Sequence, residues 1–300
     1  MNQKINQPID LPNEEYVLPG HRACVGCGLS IAYRHGLKAL GKETVLTVPA
    51  SCLTVLQGMY PISSMTIPCV NTAFETTAAS ASGLKAALNV LGRKKITVVG
   101  WAGDGGTADI GIQALSGAAE RNTDFIYVCY DNEGYMNTGS QRSGSTPLGA
   151  ITSTSPLGKI EPKKDMPAIM AAHQIPYLAT VIPAYPLELY KKFRKAKNIS
   201  GTRYLHILVP CPPSWGYDPK DTIKIGQLAV KTGFFDLYEI IDGQLKFYGP
   251  SLNILKGAKK TPVKEYLTIQ ERFKNLDSKI ISAYQKEIDL KWERYRKTYL

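Results

Sequence analysis

Nowhere in the 300 residues does an uncharged apolar run reach the length needed to cross a bilayer. The opening stretch, MNQKINQPIDLPNEEYV, also has no apolar segment behind a basic start. Neither membrane insertion nor export is expected, and the cytoplasm is the expected compartment. Histidine is scarce: His21, His35, His173 and His206 include no H-x-x-x-H pair, so a zincin-type site is excluded. No internal repeat is present. Lys plus Arg number 36 against 25 Asp plus Glu, giving a net charge of +11. The basic residues are nevertheless scattered through LGRKKIT, IEPKKD, LYKKFRKAKN and GAKKTP, without an aromatic-interleaved recognition module, so nucleic-acid binding is not expected. Six cysteines in a chain with no export signal argue against a disulfide framework. What is abundant is apolar residue, 44% of the chain, enough for a sizeable core.

Apolar periodicity predicts helices over 30–40, 75–91, 108–120, 166–172 and 187–195, with Ile110, Ala114, Leu115 and Ala118 on one side of the third. Strands are predicted over 44–48, 95–99, 125–130, 177–181 and 204–209. Such alternation implies an α/β fold with a mostly parallel sheet flanked by helices. Residues 134–164, rich in Gly, Ser, Thr and Pro, are too long for an ordinary connection and are either a functional loop or a mobile one. Residues 1–220 form the expected α/β domain. Residues 221–300, Lys-rich and ending in an amphipathic helix, are expected as an extension or docking arm packed on it.

The stretch GWAGDGGTADIG, residues 100–111, lies between a strand and a helix. Asp104 follows that strand, and Asn132 follows the next one 28 positions later. One helix and one strand fill that interval, so the carboxylate and the amide meet at the carboxyl edge of a parallel sheet. Oxygen ligands beside a helix amino terminus suit a hard divalent cation that shares a phosphate, and the glycines let backbone approach the anion. The stretch lacks the Rossmann glycine pattern, the Gly-Lys-Ser/Thr of a Walker loop and the closing Glu of an EF-hand. A purely structural glycine turn is the remaining alternative.

Cys24 and Cys27 form a C-x-x-C before Gly28, a motif shared by zinc sites, redox disulfides and iron–sulfur clusters. Cys52 and Cys211 each follow a predicted strand, which brings both to the edge that carries Asp104 and Asn132. Four thiolates from three loops suffice for a [4Fe–4S] cluster, and equally for zinc. Cys129, inside an apolar strand, reads as core; Cys69 is the remaining cysteine.

Gly103-Asp104-Gly105 with Asp131-Asn132 at this distance resembles the thiamine diphosphate motif. Together with GHRACVGCG, YDNEGYMNTGSQRSGSTP and PVKEYLTIQERF, the chain from about residue 20 to about residue 273 is similar to the β subunits of the pyruvate:ferredoxin oxidoreductase family. That resemblance implies a thiamine diphosphate-binding fold and an enzyme subunit. It implies Mg²⁺ held by Asp104, Asn132 and the Gly134 carbonyl, with Gly105, Gly106, Glu133 and Tyr135 lining the diphosphate. Asn137 would approach the thiazolium as the catalytic side chain, Cys52 would border the cofactor, and Cys24, Cys27, Cys52 and Cys211 would hold one [4Fe–4S] cluster. The implied reaction converts pyruvate, coenzyme A and oxidised ferredoxin to acetyl-CoA, CO₂ and reduced ferredoxin, or the reverse. A related reaction on another 2-oxoacid or oxalate is the alternative, and a non-catalytic zinc- or cluster-bearing scaffold is a further one. The implied partners are an α subunit supplying the activating glutamate, further subunits or domains with ferredoxin-like clusters, and ferredoxin, in a hetero-oligomer. Glu75 is accordingly expected as a first-turn helix residue and not as that glutamate. Leu29 departs from relatives that carry a polar residue there, and Arg142 reaches either a substrate carboxylate or its own loop.

Overall fold

The computed structural model describes residue 7 and residues 10–300; the rest of the opening stretch read above lies outside the described residues. Six apolar, β-branched-rich segments form parallel strands: β1 (Thr44–Pro49), β2 (Cys69–Thr72), β3 (Thr97–Gly103), β4 (Phe125–Asp131), β5 (Tyr177–Val181) and β6 (Thr202–Leu208). A short hairpin, β7 (Tyr238–Ile241) and β8 (Gln244–Phe247), adds antiparallel to β5. The sheet order is β2-β1-β3-β4-β6-β5-β7-β8. Every residue of β4 is buried, as expected of a central strand covered on both faces.

The helices are α1 (Gly28–Leu40), α2 (Cys52–Gln57), α3 (Thr77–Val90), α4 (Ile112–Glu120), α5 (Met166–Ala172), α6 (Pro186–Lys197), α7 (Pro212–Trp215), α8 (Thr222–Lys231), α9 (Gly249–Leu255), α10 (Val263–Thr268) and α11 (Ser278–Tyr299). On one face α1 and α6 clasp Trp101 of β3, which packs edge-on to Tyr33 and stacked on Phe193. On the other face α3, α4 and α5 cover Val98, Tyr127 and Leu178. The expected α/β architecture, a mostly parallel sheet between helices, is the one observed.

Three differences from the sequence reading matter for the site. First, β3 runs on to Gly103, so the first four residues of the glycine-rich stretch are strand. Next comes a single π-helical turn, Gly105–Asp109, before α4 begins at Ile112. The wider turn shifts the helical phase, leaving Ile110 54% exposed while Leu115 and Ala118 are buried. Second, Glu75 lies ahead of the N-cap Thr76 and outside the first turn of α3. Third, residues 221–300 do more than end in an amphipathic helix. Ile225, Phe247, Tyr266 and Trp292 share one core with Ile182, Leu208 and Trp215 of the preceding segment. The hairpin and the short helices of this region escape periodicity because four-residue strands and helices of six or seven residues are too brief to show a period.

Candidate active site

The strands β1, β3, β4 and β6 are consecutive in the sheet and parallel. Their carboxyl ends therefore deliver Cys52, Asp104, Asn132 and Cys211 side by side along one edge. A cavity of about 280 Å³ opens there. It is lined by Cys52, Gly103, Asp104, Gly105, Gly106, Asn132, Gly134, Tyr135 and Asn137, joined by Ala50, Ser51, Phe74, Tyr130, Met136 and Thr138, which the sequence did not single out. Gly105 is required at its place: a Cβ there would stand 2.5 Å from the Tyr135 ring.

Asp104 is fully buried. Burial first, and the neighbouring Asp131 second, push its carboxyl well above the usual range; the Ser143 hydroxyl and Lys163 oppose them. Asn132 turns its amide oxygen toward two other acceptors, Asp104 Oδ1 at 2.9 Å and the Gly134 carbonyl at 3.0 Å; turned over, its nitrogen would donate to both. In the first orientation the Asn132 oxygen faces two further oxygens, Asp104 Oδ1 and the Gly134 carbonyl. In octahedral coordination at about 2.1 Å, adjacent ligands lie about 3.0 Å apart, and the two contacts of the Asn132 oxygen have that spacing. The residues fit the cation.

Glu133 does not reach the cavity. Its backbone takes φ +66°, and its carboxylate turns inward onto Lys163 at 2.7 Å and Arg272 at 2.6 Å. Asp131 is likewise taken inward by Lys163 (2.6 Å) and His206 (3.0 Å). Burial would raise the Asp131 carboxyl, but Lys163 and then His206 outweigh it and hold it below the usual range. His206 is thereby a buried structural partner, its other ring nitrogen 3.0 Å from the Tyr204 hydroxyl. Arg142 pairs with Glu161 of its own loop at 2.7 Å. The exposed Glu75 does not line the cavity.

All six cysteines are free. Cys27 caps α1, Cys52 opens α2 and Cys211 caps α7, so three of the four candidate thiols sit at helix amino termini. Burial pushes the Cys52 and Cys211 thiols up to about 12, with smaller contributions from the other candidate thiols. Among the described residues, no three His, Cys, Asp or Glu side chains form a ready-made metal site. The C-x-x-C loop is tied to the Cys211 segment by Gly28 N–H donating to the Pro210 carbonyl at 3.2 Å, and to α8 by the Thr222 hydroxyl donating to the Gly26 carbonyl at 2.7 Å. Cys129 is buried in β4, as read.

The loop 134–164 is held by many contacts, and its anchors were not legible. Ser143 donates to Asp104 Oδ2 at 2.5 Å, the Thr146 hydroxyl donates to the Glu133 carbonyl at 2.7 Å, and Tyr135, Gly144 and Lys164 all donate to Asp109. Polar residues in a loop carry no period, so nothing in the sequence singled these anchors out.

The family model described as thiamine pyrophosphate enzyme, C-terminal TPP binding domain, matches residues 50–207. The chain is 50% identical over 295 residues to pyruvate synthase subunit PorB of Methanocaldococcus jannaschii, covering 94% of this chain and 97% of that one. It is 45% identical over 305 residues to ketoisovalerate oxidoreductase subunit VorB of Pyrococcus furiosus, covering 98% and 97%. A solved structure of 2-oxoglutarate:ferredoxin oxidoreductase from Magnetococcus marinus, with 2-oxoglutarate, coenzyme A and succinyl-CoA bound, matches with a TM-score of 0.60 and 18% identity over 91% of this chain and 96% of that one; the likeness is one of fold.

Proposed function

The chain belongs to the family of pyruvate synthase subunit PorB and ketoisovalerate oxidoreductase subunit VorB, the β subunits of 2-oxoacid:ferredoxin oxidoreductases, and from this premise we propose that it binds Mg²⁺-thiamine diphosphate and takes part in pyruvate oxidation. The observation that carries the reading is the triad in which Asn132 Oδ1 stands 2.9 Å from Asp104 Oδ1 and 3.0 Å from the Gly134 carbonyl, each the separation of adjacent octahedral ligands. Asp104, Asn132 and Gly134 would hold the cation. Gly105 and Gly106, at the start of the π-turn, leave backbone N–H groups clear for the diphosphate. Phe74, Tyr135 and Met136 give the cavity an apolar wall, and the exposed Asn137 would orient a substrate with its amide. When bound, thiamine diphosphate supplies the electron sink for decarboxylating a 2-oxoacid, and a [4Fe–4S] cluster supplies the one-electron acceptor that leads to ferredoxin.

Cys24, Cys27, Cys52 and Cys211 would hold that cluster as thiolates, metal coordination offsetting the burial that raises the Cys27, Cys52 and Cys211 thiols. Coenzyme A, ferredoxin, an α subunit that contributes the activating glutamate, and further cluster-bearing subunits or domains complete the reading. In line with it, the cavity on this chain has Asp104 as its sole carboxylate lining. A second substrate, the branched 2-oxoacid ketoisovalerate, is favoured by 45% identity to VorB over almost the whole chain.

The complex, purified anaerobically with its native partners, is expected to reduce ferredoxin with pyruvate and coenzyme A. Faster turnover with ketoisovalerate would transfer the assignment to the branched substrate. Asp104→Ala in the same complex should abolish Mg²⁺-dependent retention of thiamine diphosphate while leaving iron and acid-labile sulfide in place, and a variant that keeps the cofactor would refute the site.

A further inference from the structure

Asp104 has two carboxylate oxygens, and only Oδ1 belongs to the triad. The other, Oδ2, lies 2.5 Å from the Ser143 hydroxyl, 39 residues further along the chain. The carboxylate is the nearer of two destinations for the proton on that hydroxyl, since Thr146 Oγ1 stands 3.5 Å away and already accepts the Ser143 N–H. Ser143 Oγ already accepts the Ser145 N–H at 3.1 Å, which orients its lone pair and leaves O–H to donate to Asp104. Both groups are buried, Asp104 fully and Ser143 to within 2%, so water does not compete for the bond.

The position of Ser143 is itself fixed from two sides. Its N–H donates to Thr146 Oγ1 at 2.9 Å, and the Thr146 hydroxyl donates to the carbonyl of Glu133, the residue between Asn132 and Gly134. The next N–H, of Gly144, donates to Asp109 Oδ2 at 3.0 Å. Asp109 closes the π-turn that follows Asp104, and it also accepts the Tyr135 hydroxyl at 2.8 Å and Lys164 Nζ at 2.9 Å. A carboxylate turns freely about its Cβ–Cγ bond unless something holds one oxygen. Here a single hydroxyl holds Oδ2 and thereby aims Oδ1 at Asn132.

Resting on the assignment of Asp104 as a cation ligand, we infer that Ser143 is a positioning residue of the cation site and that Asp109 is the latch that keeps it in place. Ser143 selects which oxygen of Asp104 meets the metal. Asp109 ties the π-turn to three points of the loop 134–164, so cation binding and loop order depend on each other.

The test is a Mg²⁺ titration of the assembled complex at fixed thiamine diphosphate, followed by near-ultraviolet circular dichroism of the bound cofactor. Ser143→Ala should raise the Mg²⁺ concentration at half-saturation by about 10–100-fold, the range for a lost outer-shell partner, with full occupancy restored at high Mg²⁺. Ser143→Thr, which keeps the hydroxyl, should stay within about threefold of the native value, and Asp109→Asn should move in the same direction as Ser143→Ala. The thermal midpoint without Mg²⁺ separates a general loss of folding from a loss of positioning. Should Ser143→Ala keep the native Mg²⁺ midpoint while Asp104→Ala loses binding, the inference is overturned and the cation site stands. Should Asp104→Ala bind with native Mg²⁺ dependence, the cation site fails and the inference with it.

Discussion

A single methyl group separates two glycines that have opposite needs. Gly105 opens the π-turn, and a Cβ there would stand 2.5 Å from the Tyr135 ring. That ring cannot step aside, because its hydroxyl is bound to Asp109. Gly83 lies inside α3 with no heavy atom within 4 Å of where its Cβ would be. Gly105→Ala is therefore expected to destabilise by about 1–3 kcal/mol through overpacking and to weaken cofactor retention. Gly83→Ala is expected to stabilise by about 0.5–1 kcal/mol through helix propensity. Urea unfolding of both variants checks the pair, and equal effects would show that the space at Gly105 is not what matters. At this scale the sequence was legible where a residue type carries chemistry: Asp104, Asn132 and the glycines all meet at the cavity. It was not legible where backbone conformation decides. The left-handed φ of Glu133 turns its carboxylate away from the cavity, and no residue-type rule announces a glutamate in that conformation.

Between elements, the turn after β4 is braced from behind by three segments distant in sequence. Trp215, at the end of α7, donates its indole N–H to the Asn132 carbonyl at 2.8 Å. The Arg272 guanidinium lies 3.8 Å over the Trp215 ring and meets Glu133 at 2.6 Å, a close pair although not aligned as a hydrogen bond. Lys163, from the loop 134–164, bridges Asp131 and Glu133. Because α7 begins directly after Cys211, this brace links the cysteine-bearing loop to the turn proposed to hold the cation. Removing the charge alone, by Arg272→Met, leaves a buried carboxylate with one partner and should cost about 3–5 kcal/mol. Arg272→Lys should recover only part of that, since a lysine lacks the planar face that stacks on Trp215. Denaturant midpoints of the two variants measure this, and a Lys variant as stable as the native protein would show that charge without stacking suffices. The strands that carry the site were legible from β-branched runs, because strands buried on both faces announce themselves. The brace was not, since ion pairs between loops follow no period.

For the molecule as a whole, the alternation of helix and strand was enough to place the loops carrying Cys52, Asp104, Asn132 and Cys211 on one sheet edge, whereas the role of the last 80 residues was not visible. Their apolar side chains are interleaved with Lys and complete a core begun by Ile182 and Leu208, and only long-range packing reveals that. The amino-terminal segment packs Leu11, Tyr16 and Val17 on the core beside α1 and is held by charge as well. Glu15 pairs with both Arg34 and Lys38 of α1, at 2.7 Å for the lysine, and Lys38 also donates to the Pro12 carbonyl at 2.7 Å. The Arg34 hydrogen bond foremost, joined by Lys38 against a smaller effect of burial, holds the Glu15 carboxyl at about 2. A carboxyl depressed in the folded state adds stability above its unfolded pKa of about 4.3, and that addition fades as pH falls toward the folded value. The pair is partly exposed, so its contribution is on the order of 1 kcal/mol or less. In a chain of net charge +11, losing this carboxylate in acid also adds to self-repulsion. The stability gap between the native protein and Glu15→Gln should thus be constant above about pH 5, shrink between about pH 4 and 2, and vanish below. Chemical denaturation at stepped pH reads the gap directly. A gap that persists at pH 2 would mean that Glu15 acts through packing and not through its charge.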